Sequence, residues 1–268
     1  MKRLNSIALV VVLSVIFFQS CSVVPFTGRK QLNLLAESDM ISMGLTNYAD
    51  FMKDNSLSAD RANSAMVKKV GSDISQAVIK YFNENGLQSR LNGYQWEFNL
   101  VKNDSTPNAW CMPGGKVVVY SGLLPYTVDQ NGLAVVVSHE IAHAVARHGN
   151  ERMSQQLLIQ MGGVALNEAV KQKPEETRNI FNSVYGLGAQ VGLVLPYSRD
   201  HELEADKMGL IFMAMAGYDP QTAIVFWQRM AKAGGGKPPE FLSTHPADAT
   251  RINKIKAAMP EVMKYYKK

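Results

Sequence analysis

His139, Glu140 and His143 form the pattern His-Glu-x-x-His, the arrangement a metal-dependent hydrolase needs. On a helix, residues four apart lie on one face, one turn from each other, so both imidazoles reach a single ion. Glu140 projects beside them, where a carboxylate can take a proton from a metal-activated water. Leu133, Val136 and Val137 precede the motif at helical spacing and give it a core-facing approach. A catalytic zinc takes three protein ligands, so a third must come from elsewhere.

A metzincin places glycine at position 146 and histidine at 149, and Ala146 and Gly149 stand there. On a continued helix His148 points away from the pair and reads, with Arg147, as a basic residue near a helix C-terminus. The run Ser198 to Asp206 offers the third ligand. Glu202 and Asp206 are four apart and share a face, so Glu202 can bind the ion while Asp206 holds a histidine ring in place. Glu204 faces the other way and reads as a solvated acid, and His201 reads as structural. The oxyanion of a peptide-cleaving reaction needs a donor beyond the metal, and Tyr197, Arg199 and His245 are candidates. His245 precedes Pro246, which can open a helix, and a helix N-terminus disfavours imidazolium. His245 therefore suits three roles equally: oxyanion donor, fourth ligand in a resting state, or capping residue.

These residues need a scaffold. Ile41, Leu45, Tyr48 and Met52, and then Val67, Val70, Ile74, Ala77 and Tyr81, recur at helical spacing. The period then changes: Tyr94, Trp96, Phe98 and Leu100 alternate with polar residues, which predicts a half-buried strand. Asn108 to Met112 reads as a short edge strand, and Pro113-Gly114-Gly115 turns the chain into a β-branched strand, Lys116 to Tyr120. From Asn131 onward the pattern is helical, with breaks at Lys173-Pro174, Leu195-Pro196, Asp219-Pro220 and Gly234 to Pro239. The apolar stretches Leu157–Leu166 and Val184–Leu195 are short for a bilayer span and read as a packed helical hairpin. The fold class is α+β, predominantly helical. A substrate can add as an extended strand beside the edge, against Asn108, Ala109 and Trp110.

At the N-terminus, Lys2 and Arg3 precede an apolar run from Ile7 to Phe18, the pattern of a secretory signal. The run ends at Phe18-Gln19-Ser20-Cys21, which resembles the bacterial lipoprotein box, with Cys21 as the acylated residue. The expected division is a signal peptide over 1–20, an acylated cysteine and tether over 21–34, and one metallopeptidase domain over 35–268. Ser22 resembles the sorting position of lipoproteins sent to the outer membrane. Cys111 is then a lone thiol, read as a small buried apolar residue. The formal charge of +5 over 268 residues falls to +3 without Lys2 and Arg3, too mild an excess to indicate nucleic acid.

His139 to His143, followed by Ser198-Arg199 leading into Glu202, Glu204, Ala205 and Asp206, resembles peptidase family M48, in its soluble periplasmic lipoprotein branch. Thr27-Gly28-Arg29-Lys30-Gln31-Leu32 agrees, as do Asn108-Ala109-Trp110, Pro113-Gly114-Gly115 and Tyr120 to Leu124. The resemblance spans about residues 25 to 255. It implies one zinc ion held by His139, His143 and Glu202, with Glu140 as general base and acid. It also implies a zincin-type fold with a small sheet against the His-Glu-x-x-His helix. The expected activity is endopeptidase cleavage of misfolded or stalled proteins of the bacterial cell envelope, by a protein anchored through lipid at the outer membrane and facing the periplasm. The alternative is an outer-membrane protein assembly factor or chaperone that uses the same cleft with little proteolysis.

Overall fold

The computed structural model describes residues 21–161, 174–185, 198–233 and 240–267. Residues 1–20, Tyr197, the segment 234–239 and most of the expected hairpin at 157–166 and 184–195 lie outside that set. Among the described residues, no helix is long and apolar enough to cross a membrane.

The chain opens with β1 (Cys21–Val23) and β2 (Lys30–Leu32), an antiparallel pair. The stretch 21–34, expected as a tether, is therefore a hairpin strap on the body of the protein. Val24 and Gln31 are buried in it, and Phe26 stacks on Tyr81 at 4.1 Å between ring centroids. Two long helices follow: α1 (Glu37–Asp54) buries Ile41 and Tyr48 with Leu45 and Met52 half-buried, and α2 (Arg61–Glu84) buries Val67, Val70, Ile74 and Ala77 with Tyr81 half-buried. Asp60 caps α2 by accepting a hydrogen bond from the Asn63 amide.

Three strands, β3 (Glu97–Val101), β4 (Ala109–Met112) and β5 (Lys116–Tyr120), form a sheet in the order β3-β5-β4. β3 runs parallel to β5 and β4 antiparallel to it, with Ala109 opposite Val119. Gly114 and Gly115 turn the chain between β4 and β5 with φ of 92° and 85°, values that favour glycine. The expected alternation in β3 fails: Phe98, Asn99, Leu100 and Val101 are all buried, because helices cover both faces. Asn99 is accommodated by donating to the Tyr48 hydroxyl at 2.6 Å and to Glu97 at 2.9 Å.

A short helix α3 (Leu124–Thr127) leads into the central helix α4 (Gln130–Val145), which Asp129 caps through the Gly132 amide. α4 is buried from Gly132 to Val145 between the sheet, α2 and the later helix α7 (Arg199–Met215). Between them come α5 (His148–Met161) and α6 (Pro174–Tyr185). α8 (Thr222–Ala233), the short α9 (Glu240–Thr244) and α10 (Ala249–Val262) complete the body. α8 begins just after Asp219-Pro220, where the Asp219 carboxylate accepts from the Gln221 amide.

Candidate metal centre

α4 and α7 pack against each other and carry the chemistry on their facing sides. His139, Glu140 and His143 project from α4, Glu202 and Asp206 from α7, and all five are buried. Ser198, which caps α7 by accepting from the His201 amide, fixes where that helix starts and so where Glu202 points.

The ring nitrogens converge on one point. His143 Nε2 lies 3.1 Å from His139 Nε2, and His139 Nε2 lies 3.2 Å from His245 Nδ1. Glu202 Oε1 lies 2.9 Å from His245 Nδ1 and 3.3 Å from His143 Nε2. Donor atoms of these four residues all fall within 4.8 Å of one another. Ligands at ~2.0–2.1 Å in a tetrahedron stand about 3.3 Å apart, which is the spacing found. A cation at this point would take a lone pair from each of these buried nitrogens and from the carboxylate at once. Two nitrogens borne by histidine pairs, a third from His245 and one carboxylate oxygen suit zinc. Glu140 Oε1 is buried and accepts no hydrogen bond from the described residues, and His245 Nε2 lies 3.4 Å from it.

The sides of these rings turned away from the centre are held. Asp206 Oδ1 is 3.1 Å from His139 Nδ1, where a carboxylate can orient the ring. His148 Nδ1 is 2.9 Å from His143 Nδ1, a contact that helical extrapolation missed. Arg147 takes φ of 64° between α4 and α5, so the helix does not continue and His148 folds back. Glu204 is not a solvated acid. It is buried, accepts from the Thr27 hydroxyl at 2.6 Å and from Arg29 Nε at 3.0 Å, and lies 3.1 Å from His148 Nε2. His201 packs parallel to His148 and meets Glu151 at 2.9 Å.

Arg251 is the residue the sequence reading overlooked. Its Nη1 pairs with Glu202 Oε2 at 2.7 Å, while Nε and Nη2 donate to Asp206 at 2.6 and 2.8 Å. The guanidinium lies on Trp227, 3.5 Å from the ring centroid. A signal was present: Arg251, Ile255 and Val262 are the buried positions of α10, so Arg251 occupies the helix's core stripe. Arg199, by contrast, is not gathered in. Its side chain is 73% exposed and reaches Asp248 at 3.4 Å, turned to solvent because it sits in the first turn of α7 on the outer face. The Trp110 ring packs at 5.0 Å on Phe51 and donates to Tyr120, which holds it in the core while the residue still borders the cavity beside Glu140.

The electrostatics follow from burial and neighbours. Burial opposes a charged His139, but the carboxylates of Asp206 and Glu202 outweigh it and lift the ring to about 9. Burial holds His143 well below the usual imidazole range and raises Glu140 above the usual carboxyl range. Burial also works against ionised Glu202, yet His245 and Arg251 keep it well below the ordinary value. The Cys111 thiol is pushed up by burial, in keeping with an inert buried residue. A cavity of about 30 Å³ beside Glu140 and His245 is bordered by Asn108, Ala109, Trp110 and Tyr185.

Residues 73–259 match the model of Peptidase family M48. Over 65% of the chain the sequence is 38% identical to the mitochondrial metalloendopeptidase OMA1 of Schizosaccharomyces pombe, covering 49% of that protein. It is 31% identical to the mitochondrial metalloendopeptidase OMA1 of Bos taurus over 93% of the chain and 48% of that protein. It is 33% identical to the β-barrel assembly-enhancing protease of Yersinia pestis over 59% of the chain and 33% of that protein. The chain thus spans about half the length of the first two relatives, and a third of the last. The expected bacterial outer-membrane location is overturned by these likenesses, since the more similar relatives are named as mitochondrial. The family match does not reach as far as the lipoprotein branch. With its match over residues 73–259 and a donor set that suits zinc, the chain belongs to peptidase family M48, a family of zinc metalloendopeptidases.

Proposed function

We propose that the chain is a zinc-dependent endopeptidase that cuts peptide bonds in misfolded or stalled proteins. The observation that carries this reading is the convergence of His139, His143, Glu202 and His245 beside a buried carboxylate, Glu140, whose Oε1 accepts no hydrogen bond from the described residues. In this reading His139, His143 and Glu202 hold the metal, and His245 is a fourth ligand in the resting arrangement. A zinc ion held by these residues would supply Lewis acidity, polarising the scissile carbonyl and lowering the pKa of a water toward ~7.

The chain's own residues do the rest. Glu140, with its affinity for a proton raised by burial, takes one from the attacking water and returns it to the leaving amine. Asp206 and His148 keep the His139 and His143 rings turned so that each Nε2 faces the centre. Arg251 occupies Glu202 Oε2 and leaves Oε1 for the ion. A substrate lies extended along β4, which has no partner on its outer edge among the described residues. Asn108 and Ala109 meet it through the backbone. The 30 Å³ cavity holds little more than a water molecule or two, so His245 and α9 move aside when a substrate enters.

A second reading has one observation in its favour, the assembly role in the name of the Yersinia pestis relative. In it the same cleft holds clients and cuts little. Acylation of Cys21 rests on the sequence alone, and the intact mass of the mature chain tests it. The deciding experiment is digestion of a reduced, unfolded protein by the purified chain. Cleavage should stop with chelator, return with zinc, and fall about 10²–10⁴-fold in Glu140→Gln while zinc stays bound. Equal cleavage by Glu140→Gln would remove the catalytic reading, and a client held but never cut would favour the second.

A further inference from the structure

The motif Thr27 to Leu32 lies far in sequence from the metal centre, and the reaction above makes no use of it. Its contacts lead there all the same. Arg29 is a bridge: Nε donates to Glu204 at 3.0 Å, and Nη1 and Nη2 donate to Glu151 at 2.8 and 2.7 Å. Each of those carboxylates meets one of two stacked imidazoles, Glu204 on His148 and Glu151 on His201, whose rings lie 4.5 Å apart and 19° from parallel. Thr27 adds a second bond to Glu204, at 2.6 Å. Gln31 donates to the Ala146 carbonyl at 2.9 Å, beside the left-handed Arg147 that turns His148 back toward His143.

We propose that Arg29 is a positioning residue for the metal centre, acting through Glu204 and His148 on the ring of His143. The inference rests on the reading of His143 as a ligand. With Nε2 of His143 turned to the ion, its proton sits on Nδ1 and is donated to His148 Nδ1. His148 then carries its own proton on Nε2 and donates it to Glu204. This chain of donors runs one way only, and it ends on an acceptor that the strap holds still. Lysine cannot replace the guanidinium, because one ammonium does not span two carboxylates in fixed directions. Without Arg29, two buried acids are left uncompensated, Glu204 turns away, and the His148 ring loses its anchor.

The test is a zinc titration of the full-length chain by competition with a chromophoric chelator, on wild type, Arg29→Gln, His148→Gln and the double variant. Arg29→Gln should lower zinc affinity about 10–100-fold and change the visible spectrum of the cobalt-substituted protein. The double variant should lose no more than His148→Gln alone, because the two residues act in one chain. Additive losses, or wild-type zinc affinity in Arg29→Gln beside a lowered melting temperature, would make the strap a structural clasp and overturn the inference. Should Arg29→Gln fail to fold, Thr27→Val removes a single bond to Glu204. It should lower zinc affinity in the same direction by less, and unchanged affinity overturns the inference. A wild-type chain that binds no zinc would overturn the metal centre itself, and the relay with it.

Discussion

Gly209 of α7 lies against the backbone of His139: a Cβ on it would stand 3.0 Å from the His139 nitrogen and 3.1 Å from its Cα. The two helices that carry the ligands therefore touch backbone to backbone at the ligand itself, and the distance between His139 and Glu202 is set there. Gly209→Ala should push α7 outward by a few tenths of an ångström, costing about 1–3 kcal/mol in denaturant unfolding. Zinc affinity should fall with it, since Glu202 moves with its helix.

His245→Ala takes away the ring nearest Glu140 and enlarges the cavity beside it. Cleavage of an unfolded substrate should rise several-fold while zinc is held less tightly. A fall of about 10²–10³-fold in kcat would instead mark His245 as an oxyanion donor. Steady-state kinetics beside a zinc titration separates the two.

Arg251→Met keeps the length of the side chain and removes its charge. It leaves Glu202 and Asp206 buried without their cation. The chelated protein should lose about 3–5 kcal/mol of stability, read by urea titration. Arg251→Lys should recover only part, because one ammonium cannot reach both carboxylates and lie flat on Trp227.

Acid should loosen the strap. Burial works to raise Glu151 and Glu204, but Arg29 with His201 on the first, and His148 with Arg29 on the second, hold both at about 2. A carboxylate depressed in the folded state contributes stability that is complete above its unfolded value, about 4.5. That contribution drains away as pH falls from there toward 2. Thermal melts of the chelated chain between pH 7 and 3 should show this loss, and Arg29→Gln should flatten it.

How much of this was legible in the sequence depended on whether the signal was local. His139 and His143, and Glu202 and Asp206, each share a helix face by spacing alone, and the structure faces the two helices together. Helices α1 and α2 followed from their apolar spacing, and strands β4 and β5 from the Pro113-Gly114-Gly115 turn between them and the β-branched run after it. The errors came where one residue broke a period or where burial reversed a polar expectation. His148 was misplaced because Arg147 leaves the helical region, which no propensity for arginine foretells. Glu204 was assigned to the correct side of α7, but that side is covered by the strap, 175 positions away in sequence. The strap itself read as a tether because Pro25 and Gly28 look like breakers, and they serve as a turn between two paired strands.

The outer edge of β4 has a consequence for what the protein can act upon. It offers four residues, roughly 13 Å of extended backbone at ~3.4 Å per residue. Any chain laid along it must give up its own helix or sheet over at least that length. A well-folded protein exposes such a stretch only in rare local openings. On the proposed reading of β4 as the substrate's partner, the choice of target is made on conformational state, and the lifetime of a protein before this edge is governed by how often a segment of that length comes free.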